Sequence, residues 1–259
     1  MTQEERRIYL INKLLNEQPA YAKIAVPHNR SEQKTLLRAL LNVRMPAPAD
    51  AEFLQVQDAY LEEELRHRGV TDADALPEVQ PGIAIWQGDI STLRCDAIVN
   101  AVNSGMTGCY VPNHRCIDNC IHTFAGVQLR LDCDKLMKIQ GMPEPTGKAK
   151  ITKAYNLPCR YILHTVGPII SGPLTKHDCE LLANGYRSCL QLAAAYELES
   201  VAFCCISTGE FHFPNQRAAE IAVETVQTFL KNETSVKKVI FNVFKDMDKE
   251  IYERLLAGV

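Results

Sequence analysis

The chain has 259 residues, 46% of them hydrophobic and 23% charged, with a formal net charge of −3; this balance is ordinary for a water-soluble globular fold. No apolar run approaches the roughly 18–20 residues of a membrane span. The opening "MTQEERRIYLINKLLNEQ" lacks the apolar core and cleavage site of a signal peptide, so a cytoplasmic protein without membrane partners is expected.

The N-terminal stretch reads as helix only. Thr2 and Glu5 form a capping-box pattern ahead of Ile8, Ile11, Leu14 and Leu15 at helical spacing. Leu36, Leu37, Leu40 and Leu41 make a second apolar stripe that ends at "RMPAPAD", where two prolines stop a helix. Asp50 is placed to cap a third helix, which carries Leu54, Leu61 and Leu65 and ends at Gly69. Three helices with such narrow apolar faces are expected to pack on the remainder of the chain, so residues 1–75 read as an extension of a main domain at 76–259.

"DADALPEVQPG" (72–82) reads as a linker from its prolines and acids. Beyond it the pattern predicts strands at 83–87, 97–100, 149–155, 161–166, 201–206 and 238–244. Helices fit near 115–130, 178–198, 215–232 and 247–256. Strands alternating with helices predict an α/β fold with a largely parallel sheet covered on both faces. Ligands in such sheets bind at the carboxyl ends of strands, so the residues just after each strand carry the interest.

Asp89 ends the first of these strands, in "IAIWQGDI". Its carboxylate suits a base amino group or a ribose hydroxyl, and equally a turn in which Asp binds its own backbone. Asn100 and Asn103 end the next, in "AIVNAVNSGMTG"; an asparagine there orients a ligand or ties down a loop. In "VAFCCISTGEFHFPNQRAAEIAVE", the residues Ser207, Thr208, Gly209, Glu210 and Phe211 join a strand to a helix. Small residues at that junction let backbone N–H groups approach a phosphate, and they also suit a plain turn. Neither residues 1–80 nor the rest of the chain is basic and no Lys/Arg stripe with interleaved aromatics occurs, so a nucleic-acid polymer is not the expected ligand.

Ten cysteines in a reducing compartment are not a disulfide framework. Cys159, Cys189, Cys204 and Cys205 sit in apolar runs and read as small buried hydrophobes, and His164 as a hydrogen-bonded core histidine. "GCYVPNHRCIDNCIH" (108–122) is different. Cys109, His114 and Cys116 give C-x4-H-x-C, three ligands of the kind zinc takes, with a fourth position left open as in catalytic sites. Spacing favours a metal over an unmetallated loop, and a Cys–His nucleophile pair remains a further possibility. Asp118, two residues on, is close enough to act on whatever the metal holds. A helix starting near 115–117 would carry Cys120 and His122 away from the loop.

Taken in order, "QGDI", "AIVNAVNS", "IHTFAG", "TGKAKITKAYNLPCRYILHTVGP" and "AFCCISTGEFHFPNQRAAEIA" resemble the macrodomain family through most of 83–245. The resemblance implies a three-layer α/β/α fold with a mixed central sheet, here with an N-terminal helical extension, and ADP-ribose as ligand. It implies Asp89 at the adenine amino group with Ile90 beside it, Ser207–Phe211 around the phosphates, and Phe211 against the distal ribose. It implies Asn100, Asn103 and Ile117 near that ribose and Phe244 stacked on adenine. "CYVPNHRC" replaces the usual glycine run and resembles the zinc-dependent bacterial and fungal subfamily, in which Cys, His and Cys hold zinc beside the ribose.

The function so implied is zinc-dependent removal of ADP-ribose from mono-ADP-ribosylated proteins, with an acidic side chain as the linked group. Asp118 and Asn103 would orient water or ribose, Asp118 as general base. The resemblance also implies a partner: a lipoyl carrier like glycine-cleavage H protein, modified by a sirtuin-like transferase. The alternative is an ADP-ribose reader with a structural zinc completed by Cys120.

Overall fold

Three helices open the chain in the computed structural model, which describes residues 1–21 and 23–257. Helix α1 (Gln3–Asn16) begins on a complete capping box: the Thr2 hydroxyl accepts from Glu5 N at 3.2 Å and the Glu5 carboxylate from Thr2 N at 2.7 Å. Asn29 and Asp50 cap α2 (Arg30–Val43) and α3 (Ala51–Arg68) by the side chain alone, accepting from Glu32 N and Phe53 N, and α3 stops at Gly69, whose φ of +81° is left-handed. Leu10, Ile11, Leu14, Leu37, Phe53 and Tyr60 form a small core between these helices, and Val127 from the main body completes it.

The stretch 72–82, expected as a linker, is built into the sheets. β1 (Thr71–Asp72) pairs in parallel with β4 (Leu93–Arg94), and β2 (Glu78–Gln80) runs antiparallel to β3 (Ile83–Gln87). Pro77 and Pro81 flank β2 rather than interrupt it, so no ladder donor is lost.

Next come β5 (Ala97–Val102), α4 (Ile117–Ala125), α5 (Val127–Gln140), β6 (Ala149–Lys153) and β7 (Tyr161–Val166). The single helix expected over 115–130 is therefore two. Gly126 breaks it with a φ of +101°, and Gln57 of α3 accepts the freed Val127 N–H at 2.9 Å. The chain ends with α6 (Lys176–Ala195), β8 (Ser200–Phe203), α7 (Asn215–Leu230), β9 (Lys238–Val243) and α8 (Asp246–Leu256). β8 stops at Phe203 rather than reaching 206, because the N–H and hydroxyl of Thr208 both turn back onto the Cys205 carbonyl. Among the described residues, no helix is long and apolar enough to cross a membrane.

The main sheet runs β2-β3-β9-β8-β5-β7-β6, with β2 and β6 antiparallel at the edges and the five strands between them parallel. From β5 the chain crosses to β7 on one side, then returns through β8 to β9 on the other. Right-handed crossovers in opposite directions put α4 and α5 on one face and α6 and α7 on the other. The reversal lies between β5 and β8, and the crevice at their carboxyl ends is where such a sheet takes a ligand.

His164 sits at the centre of β7 with no exposed surface. Thr152 Oγ1 lies 2.8 Å from its Nε2 and Asn100 Nδ2 3.4 Å from its Nδ1. Burial pushes the imidazole from its ordinary 6.5 down to about 3, so it is neutral in the folded protein. Above pH 6.5 neither state is charged; below it only the unfolded chain takes the proton, and stability falls until the folded value near 3 is reached. Moving from about pH 7.5 to about pH 5 should therefore cost the native chain about 2 kcal/mol that His164→Gln does not lose. Urea unfolding of both proteins at the two pH values measures this difference, and equal losses would disprove it.

Candidate functional site

The loop between β5 and α4 brings Cys109, His114 and Cys116 together, with one donor atom of each within 4.8 Å of the others. Cys109 Sγ lies 3.6 Å from His114 Nδ1. Cys116 caps α4, its sulfur accepting from Asn119 N at 3.4 Å. Burial raises the Cys116 thiol well above its ordinary range, and the neighbouring Cys109 and Asp118 push the same way. Two sulfurs and an imidazole nitrogen converging on one point form a donor set that fits zinc. A cation there would supply the charge that lets both thiols ionise side by side. Cys120 stands apart from the trio, its sulfur 3.3 Å from Arg38 Nη2.

Asp118, on the first turn of α4, is 4% exposed. Asn100, fully buried within β5, donates its amide to Asp118 Oδ1 at 3.0 Å. Burial lifts the Asp118 carboxyl to about 7, against the pull of Asn100 and the nearby Arg130 cation. His122 Nε2 approaches the same oxygen at 3.4 Å, yet burial holds that imidazole neutral. Neither of its ring nitrogens has a hydrogen-bond partner among the described residues, so the contact is not an ion pair. Asn103 is exposed just beyond β5, its Oδ1 accepting from Gly105 N at 2.9 Å. The two asparagines therefore differ: Asn100 lies beneath the site and holds Asp118, whereas Asn103 faces solvent. Ile117 is half-buried beside them.

Ser207, Thr208, Gly209, Glu210 and Phe211 follow β8 as a tight loop. Ser207 takes a φ of +66°, and its buried hydroxyl has no hydrogen-bond partner among the described residues. Phe213 N donates to Ser207 O at 2.9 Å, and Ile170 N to Phe211 O at 2.9 Å, which fixes both ends of the loop. At Gly167, just after β7, a Cβ would run into Ser207 Oγ and Ile206 Cγ2, so a larger residue there needs those side chains to move. Glu210 Oε1 lies 3.7 Å from His114 Nε2, so this loop and the Cys/His loop meet across the crevice.

Asp89 follows β3. Its Oδ1 accepts from the N–H and hydroxyl of Ser91 at 2.9 and 2.6 Å, and its Oδ2 from Arg68 Nη1 at 3.0 Å. The turn reading thus holds, and any base amino group would share the carboxylate with Arg68. The Arg68 guanidinium lies 3.8 Å from the centre of the Phe124 ring, a cation–π contact. Ile90 is buried, and Phe244, just beyond β9, is 77% exposed.

Sequence reasoning missed Arg38, Asn42, Arg68, Asn119 and Gly167. Asn42 and Asn119 are polar residues with 1% and 0% exposure in helices read only for their apolar stripes. A polar residue on a buried helix face was the available signal.

Residues 99–222 match the family model described as Macro domain. The "Protein-ADP-ribose hydrolase" of Treponema medium is 58% identical over 261 residues, covering 99% of this chain and 100% of the relative. A mutant Oceanobacillus iheyensis macrodomain with ADPR superposes with a TM-score of 0.63 at 35% identity, covering 70% of this chain and 95% of that one. A Trypanosoma brucei macrodomain in complex with ADP-ribose gives a TM-score of 0.66 at 28% identity, covering 89% and 97%.

Proposed function

Because the chain belongs to the Macro domain family and is a protein-ADP-ribose hydrolase, we propose that it works with zinc, on ADP-ribose carried by an acidic side chain. The observation that carries the zinc reading is the convergence of Cys109, His114 and Cys116 at the mouth of the β5/β8 crevice. Those three residues would hold the ion, and what zinc supplies there is positive charge and Lewis acidity beside the distal ribose, tempered by two thiolates.

The remaining work falls to the protein. Ser207–Phe211 bind the diphosphate through backbone N–H groups, and Asp89 with Ile90 and Phe244 receives the adenine. Binding energy from these remote contacts fixes the sugar at the Cys/His loop. Asn103 orients the ribose. Asn100 engages Asp118 Oδ1, leaving Oδ2 to orient the attacking water and take its proton. An ester's carboxylate leaves as an anion and needs no proton, which suits a site with one buried carboxyl. A lipoyl carrier related to glycine-cleavage H protein is the proposed modified partner, on the resemblance alone. Ten free cysteines fit a cytoplasmic, reducing setting.

Hydrolysis of substrates carrying ADP-ribose on defined side chains, with and without chelator, tests the reading. Release from glutamate and aspartate that is lost with chelator and restored by zinc is expected. Release that is indifferent to metal, or confined to other linkages, overturns it.

A further inference from the structure

Helix α2 runs alongside the loop that carries Cys109, His114 and Cys116, and two of its side chains, one turn apart, grip that loop. Arg38 Nη2 donates to the His114 carbonyl at 2.9 Å and to Asn119 Oδ1 at 3.1 Å. Asn119, oriented in this way, donates its own amide to the Val111 and Cys109 carbonyls at 3.0 and 3.3 Å. Asn42 Oδ1 accepts the Asn113 N–H at 2.9 Å, and its amide donates to Thr123 Oγ1 at 2.9 Å. Asn113 has a left-handed φ of +56°, a conformation that a non-glycine residue keeps only when its surroundings hold it. Arg130 closes the arrangement: it donates to the Asn42 carbonyl at the end of α2 and stacks on Tyr110 with its guanidinium 4.3 Å from the ring centre.

Backbone groups of Cys109, Val111, Asn113 and His114 are thus each held by a side chain from a helix, and half of those grips depend on α2. We propose that α2 is the positioning element of the Cys/His loop, with Arg38 and Asn42 as positioning residues that preorganise the three ligands. Neither residue supplies a donor atom to the trio. Their effect is on the cost of assembling it: a loop already ordered in the folded protein gives up less freedom when a metal arrives. Arg38 Nη2 also lies 3.3 Å from the Cys120 sulfur. This inference gives the N-terminal helices a role in the chemistry, and it rests on the zinc reading above.

The test is zinc affinity of the full-length protein, measured by competition with a chromophoric chelator. The proteins are the native chain, Arg38→Met, Asn42→Ala and, as control, Lys34→Met. Lys34 lies one turn before Arg38 on α2 and pairs with Glu64 of α3 at 2.6 Å, away from the loop. Supporting residues around metal ligands typically tune affinity by about 10–100-fold, and a loss of that size is expected for Arg38→Met and Asn42→Ala only. The thiolate-to-metal absorption of the cobalt-substituted proteins should change in parallel, while ADP-ribose affinity stays the same. Should Arg38→Met fail to fold, Asn42→Ala against the control decides. Native affinity in both variants, or an equal loss in Lys34→Met, overturns the positioning role and leaves the zinc reading intact. Failure of the native protein to take zinc on the trio overturns both.

Discussion

Cys116→Ser should lose hydrolysis by on the order of 10²–10³-fold and keep its affinity for ADP-ribose. Serine is the informative replacement because Cys116 has two jobs: its sulfur belongs to the trio, and it caps α4 by accepting from Asn119 N. Serine is a good cap but a poor zinc ligand, so the helix start is preserved while the donor set is cut from three to two. His114→Ala should lose turnover to a similar degree without touching any helix cap. The expected loss matches what removal of a group that stabilises developing charge costs elsewhere. Affinity for ADP-ribose should hold because Ser207–Phe211, Asp89 and Phe244 follow other strands. Isothermal titration with ADP-ribose, metal content and single-turnover hydrolysis measure the three quantities. Full turnover by a metal-stripped native sample would sink the zinc mechanism.

Asp118→Asn should lower kcat by about 10²–10⁴-fold, the usual range for a general base, with little change in KM. The replacement keeps an oxygen for the Asn100 amide, so the buried hydrogen bond can persist. Burial already disfavours the charged carboxylate, which is why its carboxyl sits near 7. Removing a charge held at a cost should leave the thermal midpoint unchanged or raised. Lost turnover with undiminished stability is the signature of a working group. A variant equally inactive and clearly less stable would mean that Asp118 serves chiefly to hold α4 in place.

How much could be read from the sequence divides along a physical line. The Thr2/Glu5 box, the Asp50 cap and the Gly69 stop follow from rules spanning a few residues, and each stands where those rules put it. The Cys/His trio was legible for the same reason, since its members lie within eight positions. The break at Gly126 was hidden because its compensation comes from Gln57, 70 residues earlier. β2 was hidden by prolines that a local rule counts as breakers and a sheet edge tolerates, and β1 by being only two residues long. The partnerships of Arg68 with Asp89, and of Arg38 and Asn42 with the Cys/His loop, exist only after the chain has folded back on itself. No pattern of spacing announces them. The distinction between Asn100 and Asn103 likewise needed burial, because the extent of β5 past Asn100 is not marked in the sequence.

Gly167 gives the crevice a constraint as well as a shape. A Cβ there would press on the Ser207 hydroxyl and on Ile206 Cγ2, which ties the residue that can follow β7 to the side chains after β8. A larger residue at 167 can be accommodated only together with a retreat at 206 and 207.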